Sequence, residues 1–333
     1  MRWLIGAVIT AVALWSGYWA IASGAKSRIV ASWIEDRRAD GWVAEYATLE
    51  TRGYPNRIDT VITDLELADP STGVAVSLPR FDIFTLSYKP NHMIAQWPET
   101  FVLASPLERL DIASSAMRAS LIVAPDTRLA LRRSTITIEE AHISSSEGWN
   151  IALDRGVFAT REAVGIEHAH DVGLRIEGYT PAAATRTLLD PANLLPEKME
   201  RVEIDTTLGF DAPWDLDAIE RGRPALTSVN IKLARAVWGG MDFHATGRLQ
   251  VDAAGLPEGE IAIRAANWRA MLRLARAAGW VTADMEAVLA RGLEVLARAS
   301  GDPETLDAPL RFQRGRMSFG PIPLGPAPQL LLR

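Results

Sequence analysis

The side chains best placed to do chemistry are His168, His170 and Asp171, in the run His168-Ala169-His170-Asp171. Alternate residues of a strand share a face, so two imidazoles spaced this way would converge on one divalent cation. The same parity also carries Ile166, Val172, Leu174 and Ile176, which turns that face toward an apolar interior or the rim of a groove. With no third ligand in the pattern, hydrogen-bonded interior histidines and no metal are expected. Glu139, Glu140 and His142 form a second group, but consecutive glutamates on a strand point to opposite faces and read as solvated. Asp215 and Asp217, near Trp214, have the makings of paired catalytic carboxylates. Their setting, Phe210-Asp211-Ala212-Pro213-Trp214, is loop-like, and a solvated turn is the simpler reading. The chain has no Gly-x-x-x-x-Gly-Lys phosphate loop, no Gly-x-Ser-x-Gly elbow, no His-Glu-x-x-His and no glycine-rich dinucleotide fingerprint. A non-enzymatic protein with no cofactor is expected.

The remaining composition says where such a chain sits. Its 333 residues are 48% apolar, carry 35 basic against 41 acidic side chains and include no cysteine. That excludes a disordered chain, a collagen-like repeat and a disulfide scaffold, and a pI near 5.5 argues against a nucleic-acid partner. Residues 3–22 contain no charge; as a helix they rise ~30 Å, the thickness of a bilayer's hydrocarbon. Trp3 near one end and Trp15, Tyr18 and Trp19 near the other stand where interfacial aromatics belong. Small residues at Ala20-Ile21-Ala22 and Ser23-Gly24-Ala25 would suit a cleaved signal peptide. The run is longer than the usual ~7–15-residue signal core, which favours an uncleaved anchor. Lys26, Arg28, Arg37 and Arg38 follow the run, partly offset by Glu35 and Asp36; loop-charge counting alone would leave the body in the cytoplasm.

The expected organisation is an anchor over 1–25, a helical stalk over 26–41 and a β-rich domain over 42–333. In the stalk, Ile29, Val30, Trp33 and Ile34 recur at helical spacing up to Gly41. The period then changes to two. Val202, Ile204, Thr206 and Leu208 alternate with polar residues over 200–208, and Met241, Phe243, Ala245, Leu249 and Val251 do so over 241–251. Less regular alternation marks 58–68, 81–88, 129–143, 166–177, 229–237, 259–265 and 310–319, giving a mainly β fold with α insertions and a large antiparallel sheet of roughly a dozen strands. Residues 181–196, with Pro181 and Pro196 at the ends and Leu188, Leu189, Leu194 and Leu195 inside, predict a short helix and a loop. Residues 267–300 predict a helical hairpin: Asn267 caps the first helix, Gly279 stops it and Thr282 caps the second.

Such a sheet has more apolar face than its helices can cover. About 12 strands of ~20 Å, spaced ~4.8 Å apart, offer ~1,150 Å², and the two hairpin helices shade ~450 Å². The sheet therefore curls into a taco, half-barrel or sandwich, or it leaves an apolar groove for a ligand such as an acyl chain. An anchor that holds this surface beside lipid favours the groove. Alternation nominates Val202, Ile204 and Leu208 from one strand and Phe243, Leu249 and Val251 from another as its lining. Ile231 and Leu233 share a parity within 229–237 and join them, although nothing in the sequence fixes which face of that strand is buried. A scaffold that displays the hairpin to another envelope protein is the alternative.

Two local patterns specify structure. Gly53, Tyr54 and Pro55 precede the first convincing strand: Gly53 suits a turn, Pro55 extends Tyr54, and Tyr54 is expected to fold over the sheet. Gly320, Pro321 and Pro323 belong to a proline-rich ending, Gly320-Pro321-Ile322-Pro323-Leu324, an edge that resists further strand addition. With the anchor, the stalk, the long β segments and the late helical pair, these two motifs resemble the bacterial envelope family called domain of unknown function 2125. The resemblance implies an inner-membrane protein with a periplasmic β-rich body; the anchor and the uncovered sheet face make the lipid bilayer, an apolar ligand and envelope proteins the expected partners. It transfers no catalytic residue. A looser likeness in layout links the chain to AsmA-like and TamB-like proteins, whose curved sheets serve as lipid conduits.

Overall fold

The computed structural model describes residues 1–331 except 192, 194, 221 and 300, and it leaves out the side chains of 219, 220 and 299. Leu194, expected in the loop after the short helix, and Ser300, expected as the last residue of the hairpin, lie outside the described residues. The chain forms two compact units: residues 1–123 with 136–148, and residues 124–135 with 149–333.

The first unit begins with one helix, α1 (Arg2–Ala39). The apolar run and the stalk are continuous because no proline interrupts them, and the helix ends where Gly41 takes a φ of +87°. The strands that follow are β1 (Val43–Glu45), β2 (Thr48–Arg52), β3 (Asp59–Asp69), β4 (Val74–Leu86), β5 (Lys89–Gln96), β6 (Thr100–Ala104), β7 (Arg109–Ala113) and β8 (Ala116–Val123). They are followed by β9 (Leu131–Ser145), whose residues from 136 onward belong to this unit. All pairings are antiparallel: β1 and β2 share β3 end to end, β5 and β6 share β4 in the same way, and β7 pairs with β9. Ile62, Leu65, Leu78 and Phe101 make the core, with Val30 of α1 packed against it.

One stripe of α1 lies on this sheet. Trp15, Trp19, Ser23, Lys26, Val30, Ile34 and Arg38 recur every three or four residues, the spacing of one helical face. Ile34 is buried at 1% exposure. Lys26 Nζ donates to the carbonyls of Ile58 and Ile83 at 2.7 and 3.3 Å and to Thr85 Oγ1 at 2.8 Å, and Arg38 Nε donates to the Ala44 carbonyl at 2.6 Å.

The second unit is a meander of β10 (Asn150–Glu162), β11 (Ala169–Tyr179), β12 (Met199–Phe210), β13 (Leu226–Trp238), β14 (Met241–Val251), β15 (Pro257–Ala266), β16 (Thr305–Gln313), β17 (Arg316–Phe319) and β18 (Ile322–Pro326). Each strand pairs antiparallel with the next. Among the described residues no pairing joins β18 to β10, so the sheet is open. Helices α2 (Ala183–Leu189), α3 (Leu216–Glu220), α4 (Trp268–Ala277) and α5 (Ala283–Ala299) are inserted between strands. The eighteen strands described exceed the dozen expected, because β1, β2, β6, β7, β17 and β18, at three to five residues each, are too short to show a period.

The hairpin forms as expected at Gly279, whose φ is +75°, and at Thr282, whose Oγ1 accepts the Met285 N–H at 3.3 Å. Asn267 departs from expectation. It is left-handed at φ +58° and makes no side-chain cap; its carbonyl accepts the Ala270 N–H at 3.0 Å instead. At the other end of the chain, Gly320 turns at φ +53°, and Pro323 pairs with Ser318 in the final strand. Pro321 sits in the turn that leads into this strand.

Candidate functional site

Register across the second unit sorts its side chains into two faces. On the apolar face, one row runs Ile176, Val202, Ala236, Phe243, Ala265 and Leu306. The next runs Leu174, Ile204, Ala234, Ala245, Ile263 and Ala308, and a third runs Val172, Thr206, Ile231, Gly247, Ile261 and Leu310. A fourth begins His170, Leu208, Val229 and Leu249.

The chain covers part of this face itself. Trp268 and Ala297 of the hairpin close over Ala265 and Leu306, with Phe243 packed against them. Ala327 of the C-terminal segment closes over Leu249 and Phe312, held by the Ala327 N–H on the Gly315 carbonyl and the Leu330 N–H on the Gly255 carbonyl, both at 2.8 Å. Phe243 and Leu249 are thus packed by the chain's own segments, and Val251, opposite Pro257, is 8% exposed. Val202, Ile204, Leu208 and Ile231 belong to neither cluster and are half-buried.

Leu233 does not share a face with Ile231, which corrects the expected parity. A bulge puts Lys232 and Leu233 together between Ile231 and Ala234, so Ile231 pairs with Thr206 and Leu233 with Asp205. The extra residue flips the alternation. Lys232 is carried to the polar side, where its Nζ reaches Asp171 Oδ1 at 2.6 Å.

The polar face is a lattice of ion pairs. Arg175 meets Glu203, Arg235 meets Asp242 at 2.7 Å and Arg311 meets Glu260 at 2.8 Å. Asp171 accepts from Lys232, from Thr207 Oγ1 at 2.7 Å and from Arg161 Nε at 3.2 Å, and these donors, Lys232 foremost, hold its carboxyl down to about 2. Single exposed pairs add little stability. Together they keep this side of the sheet wet and so fix which side turns inward.

The chemistry-bearing residues fall into structural places. His168 lies before β11 at φ +50°, which breaks the expected shared face with His170; its Nε2 is 3.4 Å from Glu167. His170 is buried, contacts Thr160 Oγ1 at 3.4 Å and meets the Phe210 ring edge-on at 6.4 Å. Burial pushes its imidazole below the usual range. No cluster of three metal-ligating side chains occurs among the described residues. Glu139 and Glu140 are exposed, Glu140 at φ +48°, and His142 is exposed in β9. Asp215 is not in a solvated turn: it is 7% exposed, and its Oδ1 accepts the Ala218 N–H at 3.3 Å at the start of α3.

Gly53 turns at φ +106°, where a Cβ would stand 2.7 Å from Arg57 Cβ. The Tyr54-Pro55 bond is cis. Tyr54 does not fold over the sheet. Its hydroxyl is 2.8 Å from Ser16 Oγ and its ring meets Trp19 edge-on at 5.4 Å, because the apolar helix offers it both a ring and a hydrogen bond. Sequence reasoning missed this seat, whose signals were the aromatic residues near one end of the apolar run and the Gly53 turn.

The molecule is therefore a mainly antiparallel β protein that carries one N-terminal helix long and apolar enough to cross a membrane. Residues 19–328 match the family model described as "Uncharacterized protein conserved in bacteria (DUF2125)", and the chain belongs to that family. Comparison with curated proteins and comparison with solved structures each returned no match.

Proposed function

We propose that the protein is held in the inner membrane by α1, with its body in the periplasm, and that it binds lipid or another apolar ligand without acting as an enzyme. One observation carries this reading: on β12 and β13, Val202, Ile204, Leu208 and Ile231 form an apolar patch outside both clusters that the hairpin and the C-terminal segment cover. Membership of the bacterial family and the helix of spanning length support the placement. An acyl chain laid on this patch would exchange water for aliphatic contact at ~25 cal/mol per Å². The test is mass spectrometry of the full chain extracted in mild detergent. A stoichiometric lipid that is lost on substituting Ile204 supports the reading, and protein free of lipid across detergents overturns it.

A scaffolding role is the second reading, favoured by the exposed apolar side chains of the hairpin, Trp280 at 73%, Val288 at 64% and Val295 at 68%. Photocrosslinkers placed at Trp280 or Val288 would then capture one dominant neighbour, and removal of the hairpin would leave lipid content unchanged.

A further inference from the structure

The stripe of α1 that docks on the first unit starts inside the apolar run. Trp15 Nε1 donates to the Pro55 carbonyl at 2.9 Å, Tyr18 Oη to the Ser87 carbonyl at 2.6 Å and Trp19 Nε1 to the Arg57 carbonyl at 2.6 Å. Residues 3–14, which precede this docking, rise only ~18 Å, well short of the ~30 Å of a bilayer's hydrocarbon. Trp15 itself lies ~10 Å below the far end of the run at residue 22. A helix that spans with residues 3–22 therefore carries the docked loops below the level at which its hydrocarbon segment ends.

Several backbone groups of those loops are paired within the protein. The Gly53 carbonyl accepts the Arg57 N–H at 2.8 Å, and the Asn56 carbonyl accepts the Ser87 N–H at 2.9 Å and Ser87 Oγ at 3.0 Å. The carbonyls of Pro55, Arg57 and Ile58 are taken by Trp15, Trp19 and Lys26, and Pro55 has no N–H to satisfy. Backbone that enters a membrane must find its partners within the protein. Tyr54 and Tyr88 are 53% and 58% exposed on these loops, with Lys89 beside Tyr88 exposed as well. Amphipathic rings and a snorkelling amine suit the headgroup boundary.

We infer that the 53–57 and 86–89 loops of the first unit sit in the lipid interface of the leaflet on the body's side, so that one end of this sheet rests within the bilayer surface. The inference rests on α1 spanning the membrane. It goes beyond the proposed function by naming a second lipid-contacting surface, separate from the apolar face of the other unit.

The absence of cysteine makes any introduced thiol a unique label. The full chain carrying Tyr88→Cys or Asn56→Cys, labelled with an environment-sensitive fluorophore, is reconstituted into vesicles of phosphatidylethanolamine and phosphatidylglycerol that contain lipids brominated at shallow or deep acyl positions. Leu107→Cys, 85% exposed next to Pro106, which adjoins Gly73 at the far end of β4, is the control. Labels at 88 and 56 are expected to lose roughly half their emission to the shallow quencher, as groups ~5–10 Å into the headgroup boundary would, and the label at 107 none. Protein extracted by carbonate overturns both the spanning helix and this inference. Protein that stays integrated while labels at 88 and 56 match the label at 107 overturns the inference alone, as it would if the bilayer thinned to meet the loops.

Discussion

Lys26 Nζ lies 2.7 Å from the carbonyl oxygen of Ile58. The first cationic side chain after the apolar run thus clamps the helix to the start of β3 rather than facing solvent. It also reaches the Ile83 carbonyl and Thr85 Oγ1, so one ammonium joins three chain segments.

Replacing this amine by an aliphatic chain leaves the carbonyls of Ile58 and Ile83 without their charged donor. Lys26→Met is expected to lower the stability of the first unit by about 2 kcal/mol, the range for a hydrogen bond to a charged group. Urea unfolding in detergent micelles, followed by the near-ultraviolet signal of the tryptophans, measures it. An unchanged midpoint would show that water replaces the amine without loss.

Gly53→Ala tests the turn that seats the helix. The added Cβ meets Arg57 Cβ at 2.7 Å and the Arg57 carbonyl oxygen at 3.0 Å, at a φ that L side chains avoid. A loss of about 2 kcal/mol is expected, together with weaker protection of Trp19 from acrylamide quenching. Gly148, also at positive φ but with open space around its Cβ position, should cost less, about 1 kcal/mol.

Acid stability of the second unit should fall in two windows. Burial holds His170 below its usual range, so the unfolded chain takes up that proton first and stability falls as pH drops below ~6.5. Asp171, held down to about 2 by Lys232, Thr207 and Arg161, contributes stability that is complete above ~3.9 and is lost as pH falls toward its folded value. His170→Leu should flatten the first window and Asp171→Asn the second. Thermal melts across a pH series separate them, and a slope unmoved by either substitution would contradict the assignment.

The two faces of β12 should respond differently to substitution. Ile204→Gln places an amide on the apolar patch and is expected to reduce bound lipid about tenfold, the effect of losing ~1.4 kcal/mol of contact. Glu203→Gln, one residue away on the polar side with Arg175, should leave lipid unchanged. Equal loss in both variants would point to unfolding, which far-ultraviolet dichroism of the same samples would reveal.

Much of the site was legible in the sequence where its cause is local. Alternation at Val202, Ile204 and Leu208 decided that these side chains share a face, because successive strand residues point to opposite sides whatever they pair with. Gly279 and Thr282 marked their helix boundaries for the same reason, since each acts on backbone groups within one turn. Leu233 escaped this logic. Its face depends on a bulge that exists only because β12 and β14 both leave one position opposite Lys232 and Leu233.

By itself the sequence determined an apolar run long enough to span a bilayer, a polar continuation and a mainly β body, all properties of composition and short-range periodicity. Tertiary structure alone decided what those segments touch. It bonded Trp15, Tyr18 and Trp19 to carbonyls some 40 to 70 residues away, turned Tyr54 onto the helix instead of the sheet, and laid the hairpin and the C-terminal segment over Phe243 and Leu249. The reason is physical. In an unbulged strand, which side chains share a face is a property of neighbouring bonds, whereas the site of a bulge, the partner of a donor or the cover of an apolar patch is chosen among segments that only the folded chain brings together.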